Sequence, residues 1–105
     1  MNDILARLFA TIQARAGADP ATSHTAGLLA RGPGKCAEKF GEEAVEAIVA
    51  AASDDAAGLT HEAADVLYHL QVLLKAAGVP WDAVMAELER REGRSGIAEK
   101  ASRRS

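Results

Sequence analysis

"KFGEEAVEAIVAA", residues 39–51, places Glu42, Glu43 and Glu46 within about one helical turn of each other. A second stretch, "HEAADVLYHLQVLL" at residues 61–74, repeats the pattern with Glu62 and Asp65. At about 100° per residue and with Glu42 at zero, Glu46 falls near 40° and Glu43 near 100°. Val45, Ile48, Val49 and Ala52 then fall at roughly 240° to 340°, so Glu42 and Glu46 flank the apolar face instead of lying opposite it. With Glu62 at zero, Asp65 lies near 300° and Leu73 near 20°, so the second stretch borders its core in the same way. These are two amphipathic helices, and their period sets the fold class as all-α.

Outward from this pair, the 39–51 stretch belongs to a helix predicted over about 35–52, and "SDD" at 53–55 either breaks it or caps its successor. That successor is predicted over roughly 60–77, burying Ala63, Val66, Leu67, Leu70, Leu73, Leu74 and Ala77. Gly78 stands where a left-handed residue ends a helix, and Pro80 reopens helical geometry for "WDAVMAELERR". Upstream, Ile4, Leu5, Leu8, Phe9 and Ile12 recur at helical spacing over about 2–15, ended by Gly17 and Pro20. "SHTAGLLA" at 23–30 suits a short helix capped by Ser23 or Thr25, stopped by "RGPGK". Residues 1–91 form one domain in this reading, and the polar, Gly- and Ser-containing 92–105 a flexible tail.

Bulk properties narrow the function. A chain of 105 residues is one domain with a modest core, which self-association would reinforce. A net charge of −3 offers no broad field for nucleic acid, and 4% aromatic residues give little stacking surface for bases. No run of 18 or more apolar residues exists to span a membrane. "MNDILARLFATIQ" lacks the charged start and cleavage site of a signal peptide. Cys36, the single cysteine, fits a buried thiol in a reducing compartment. The expectation is a cytoplasmic protein without nucleic-acid or membrane partners.

Charged helix positions are ordinarily solvated, and surface pairing would alternate signs at i, i+4. Here Glu38 faces Glu42, Glu42 faces Glu46 and Lys35 faces Lys39, which costs roughly 0.2–0.5 kcal/mol per like-charge pair. A hard divalent cation makes such crowding favourable, and Mg²⁺ or Mn²⁺ retains waters that substrate phosphates replace. A di-iron bundle needs Glu-x-x-His pairs, and no Glu here is followed three residues later by His. An EF-hand is excluded because the acids lie within helices.

The spacing Glu42-Glu43-x-x-Glu46 followed by Glu62-x-x-Asp65 resembles the EExxE…ExxD signature of the MazG-type all-α nucleoside-triphosphate pyrophosphohydrolases. Within that group, "SHTAGLLARGPGKCAEKFGEEAVEAIVAA" and "EAADVLYHLQVLLKAAGVPWDAVMAEL" are similar to the phosphoribosyl-ATP pyrophosphohydrolase family over roughly residues 4–91. His24 stands where that family usually has Tyr, Phe40 where Val is common and Cys36 where an aliphatic is common.

The resemblance implies a four- to five-helix MazG-like bundle completed by homodimerisation. It also implies Mg²⁺-dependent hydrolysis of phosphoribosyl-ATP to phosphoribosyl-AMP and pyrophosphate, the second step of histidine biosynthesis. Carried over position by position, Glu42, Glu43, Glu46, Glu62 and Asp65 are both the metal ligands and the catalytic set.

Lys35 and Lys39 share the acidic stripe and are candidate phosphate ligands, with surface ion pairing the competing role. Ser23 and Thr25 are candidate hydroxyl donors to a phosphate or simple helix caps. Gly41, inside a helix at a cost of about 1 kcal/mol, is read as admitting a neighbouring helix or ligand. His69 is expected to be a hydrogen-bonded histidine at a dimer junction. Arg90, Arg91 and Arg94 are assigned to a solvated terminus. Two other functions fit the same helices: a housecleaning hydrolase of non-standard nucleotides, and a non-enzymatic bundle whose acidic stripe binds a basic partner.

Overall fold

A computed structural model of the chain describes residues 3–93, and among these it contains five helices and no strand. They are α1 (Ile4–Arg15), α2 (His24–Ala30), α3 (Pro33–Ala52), α4 (Ala56–Ala77) and α5 (Trp81–Arg91). The all-α expectation holds. The tail expected from 92 lies outside the described residues from 94 onward, and Arg94 with it.

Local chemistry explains the boundaries. Ser23 caps α2, its hydroxyl accepting from the Ala26 N–H at 3.1 Å, while Thr25 sits inside the helix and is buried. Pro33 opens α3 two residues before the expected start, behind Gly32 at φ 89°. Proline suits a first helical position because its missing N–H would have no helical acceptor there. The Asp55 carboxylate accepts from the Gly58 N–H at 2.9 Å, so α4 begins at Ala56, ahead of the expected 60. Gly78 ends α4 at φ 75°, left-handed as its position predicted.

The centre of the molecule is α4, which packs chiefly along α3 and also against α1 and α2, with α2 touching α3 as well. Ile12, Leu28, Cys36 and Val72 form the core, joined by Leu8, Leu29, Tyr68 and Leu73. Cys36 is 1% exposed and its thiol donates to the Leu28 carbonyl at 3.3 Å, so it packs as expected. Trp81 closes the far end by stacking on Phe9, ring centres 6.3 Å apart.

The buried face of α4 corrects the sequence expectation. Ala63, Leu67 and Ala77 are exposed, and His69, Gln71 and Val72 are buried instead. Gln71 is tolerated there because its Nε2 donates to the Leu5 carbonyl of α1 at 2.9 Å, which offsets the cost of burying an amide. At Gly41 a Cβ would meet nothing within 4 Å, so among the described residues no neighbouring helix requires the glycine. Among the described residues no helix is long and apolar enough to cross a membrane.

Candidate active site

The site is built on the α3–α4 hairpin. Carboxylate oxygens of Glu43 and Glu46 on α3 and Glu62 on α4 lie within 4.8 Å of one another. Glu62 is shared with a second group in which His61 and Asp65 supply the other ligand atoms, again within 4.8 Å. Of the five predicted acids, four therefore meet along one seam. Glu42 does not join them, because its carboxylate accepts from the Lys39 ammonium at 3.0 Å.

Crowding leaves a clear electrostatic mark. Burial first, and then the neighbouring Glu46 carboxylate, push Glu43 up to about 7. Glu62 is raised by the same causes in the same order. Its Oε2 is buried with no hydrogen-bond partner among the described residues. A buried carboxylate oxygen without a donor is unfavourable unless a cation or proton faces it. Clustered hard oxygen donors with one orphaned lone-pair site fit a Mg²⁺ or Mn²⁺ ion, which binds through one or a few carboxylates.

The other predicted residues divide. Lys39 lines a cavity of about 440 Å³ between the 20–23 loop, α2 and the start of α3, together with Ser23, His24 and Arg31. Its hydrogen bond to Glu42 and that carboxylate's charge raise the Lys39 ammonium, and the same bond lowers Glu42. Lys35 pairs with Glu38 at 3.3 Å, an ordinary i, i+3 surface contact. Ser23 has its hydroxyl on the Ala26 N–H, and the Thr25 hydroxyl shares a hydrogen with the Tyr68 phenol at 2.5 Å. Arg90 and Arg91 pair with Glu87 on their own helix.

A cluster of rings links the cavity to the carboxylates. His24 stacks on Tyr68 with centres 6.2 Å apart and meets His69 edge-on at 6.3 Å. His69 is buried, and its Nε2 lies 4.0 Å from Glu43 Oε1. Desolvation, followed by the nearby His24, lowers the His69 imidazole below its usual range, so it faces Glu43 neutral near pH 7. Sequence reasoning missed two residues here. His61, 3.3 Å from Asp65 at i, i+4, was visible in the spacing. Arg31 was not, because the loop that folds back over Gly27 creates its cavity.

Fold and site together define a class: an all-α protein whose clustered carboxylates on a helical hairpin suit a divalent cation beside a basic cavity. Residues 5–92 match the family described as phosphoribosyl-ATP pyrophosphohydrolase, and the chain belongs to that family. A Rhodobacter capsulatus protein named phosphoribosyl-ATP pyrophosphatase is 67% identical over 99 residues, covering 94% of this chain and 96% of its own. Proteins of the same name from Dinoroseobacter shibae and Methylobacterium radiotolerans are 70% and 67% identical over 100 residues. Those two alignments each cover 95% of this chain, with 98% and 94% of the respective relatives.

Proposed function

We propose that this chain hydrolyses the α–β phosphoanhydride of phosphoribosyl-ATP, giving phosphoribosyl-AMP and pyrophosphate, as the second step of histidine biosynthesis in the cytoplasm. The observation that carries the reading is the meeting of Glu43, Glu46 and Glu62 around an orphaned carboxylate oxygen, in a chain of this family. Glu43, Glu46, Glu62 and Asp65 are the proposed ligands of Mg²⁺, with Mn²⁺ as a substitute, and Glu42 borders them. When bound, the ion supplies charge screening at the phosphorus and at the leaving pyrophosphate.

The chain's own groups do the rest. A carboxylate of the cluster accepts the proton of the attacking water as the new P–O bond forms and the anhydride P–O bond breaks. Neutral His69 packs against Glu43 from the α4 side and holds that face of the site dry. Lys39 exchanges Glu42 for a substrate phosphate, so one ammonium serves both the resting and the loaded site. Ser23 and Thr25 act through the α2 segment they fix: Ser23 by capping it, Thr25 by tying it to Tyr68. Lys35, at the same end of α3, adds a further cation toward bound phosphates. The active species is proposed to be a homodimer.

The test is release of pyrophosphate from phosphoribosyl-ATP with Mg²⁺, with and without chelator, alongside dCTP, dUTP and ATP. Chelator is expected to abolish release, phosphoribosyl-ATP to be strongly preferred, and Glu46→Gln to be inactive with an unchanged helical spectrum. Equal release by that variant removes the proposed site. A preference for dCTP or dUTP makes the chain a housecleaning hydrolase instead.

A further inference from the structure

The cavity beside α2 asks for an occupant different from the one the carboxylates serve. Of its charged lining residues, Arg31 and Lys39 are cations and none is a carboxylate. Lys39 is engaged with Glu42, whereas the Arg31 guanidinium has no ion pair or hydrogen bond among the described residues and stands exposed at the rim. The surrounding wall is built firmly. The Asp19 carboxylate accepts from the Ala21 N–H at 3.0 Å, and its carbonyl accepts from the Thr22 and Ser23 N–H groups, each at 3.0 Å. The loop so fixed lies close on α2: a Cβ at Gly27 would approach the Pro20 carbonyl oxygen at 3.3 Å.

The cavity is also adjacent to the reaction centre. Lys39 on its wall precedes Glu43 by four residues, about 6 Å along α3. His24, another wall residue, meets His69, which in turn faces Glu43. A ligand can therefore reach from the carboxylate seam into the cavity past one layer of rings.

Phosphoribosyl-ATP carries two separate anionic ends, the triphosphate and a monophosphate on the second ribose. The carboxylate seam with its cation takes the scissile end and repels any phosphate that lacks a counter-ion. We propose, resting on the phosphoribosyl-ATP reading, that the cavity seats the monophosphate of the second ribose and that Arg31 is the specificity-determining residue for it. Guanidinium forks match phosphate oxygens in pairs, and an arginine without a resident partner is available for that match. Arg31 is what separates phosphoribosyl nucleotides from plain adenine nucleotides, which have no group to place there.

The experiment titrates phosphoribosyl-AMP, AMP and pyrophosphate calorimetrically into the full chain with Mg²⁺, comparing it with Arg31→Gln and Arg31→Lys. Arg31→Gln is expected to weaken phosphoribosyl-AMP by roughly tenfold or more while AMP and pyrophosphate stay within about twofold. Arg31→Lys is expected to recover part of the loss, and both variants to melt with the unaltered chain. Equal weakening of AMP overturns the assignment, as does an unaltered chain that binds AMP and phosphoribosyl-AMP alike. Weakening confined to pyrophosphate overturns it too, by placing the leaving group in the cavity. Turnover of phosphoribosyl-ATP, measured in parallel, judges the enzymatic reading separately. A chain that discriminates through Arg31 yet releases no pyrophosphate keeps the cavity assignment and loses the reaction.

Discussion

Glu43 shows how a single side chain records what its site is for. Its ordinary value of 4.5 is raised to about 7 by burial and by Glu46, so in the folded chain a proton does what a cation would do. A folded value above the unfolded one means that the proton favours folding. The contribution is complete below about 4.5 and is lost as pH rises through about 7. The expected result, without divalent ions, is that Glu43→Gln gains melting temperature relative to the unaltered chain between about pH 5 and pH 8. His69 acts in the opposite direction, its contribution lost as pH falls, but it is common to both chains. Millimolar Mg²⁺ at pH 8 is expected to raise the unaltered chain more than the variant, since the ion binds the folded site. Parallel melting curves across that range would leave the carboxylate seam without its proposed tension. Glu46, Glu62 and Asp65 were legible because helical period places them beside the apolar faces, whereas the same period sets Glu43 opposite the Val45–Val49 stripe and only the packing of α3 on α4 brings it into the seam. Glu42 was not separable from them by spacing, since Lys39 captures it through a rotamer that the sequence does not specify.

At the level of elements, the start of α4 sets where Glu62 and Asp65 stand. Asp54 takes a left-handed φ of 58°, turning the chain sharply after α3, and Asp55 then caps the new helix through the Gly58 N–H. Losing an Asp cap costs on the order of 1 kcal/mol, whereas asparagine keeps an accepting oxygen. Asp55→Ala is therefore expected to lower unfolding free energy by about 1 kcal/mol in urea titration, with Asp55→Asn near the unaltered value. A loss of equal size in both would show that the carboxylate acts by charge and not as a cap. This corner also explains why the predicted helix began late. Gly58 in "DDAAGLT" reads as a break in propensity, yet its N–H is the group that the cap needs. The other helices were legible from apolar period and from Gly and Pro punctuation. What the period could not show was Gln71, whose burial depends on a carbonyl of α1 distant in sequence.

At the scale of the whole molecule, an apolar stripe lies open to water beside the carboxylate seam. Val45, Ile48 and Val49 form the apolar side of α3, yet they are 57%, 65% and 58% exposed. Leu67 of α4 is 39% exposed as well. The radius of gyration is 15.9 Å, against about 13 Å for a self-contained domain of this length. Helix period predicted these residues to be core, and no element of the described chain covers them. A second copy laying its own α3–α4 hairpin on this stripe would complete a four-helix core by an isologous contact. Covering one such side chain fully is worth about 1.5–3 kcal/mol, so a charge in its place opposes association strongly. The stripe is also continuous with the site: Val45 and Val49 line one cavity of about 340 Å³ together with Glu46 and Glu62. The second copy would therefore close the side of the carboxylate seam that now opens to water, and a drier seam strengthens every charge interaction within it. Ile48→Asp is expected to shift the sedimenting mass from twice the 11.0 kDa chain to a single chain. It should keep its helical spectrum, because Ile48 is exposed in the isolated fold. Pyrophosphate release should fall with the dimer fraction although every proposed ligand is intact. An unaltered chain that sediments as a monomer and is fully active would show that one hairpin suffices, and that the exposed stripe serves neither assembly nor catalysis.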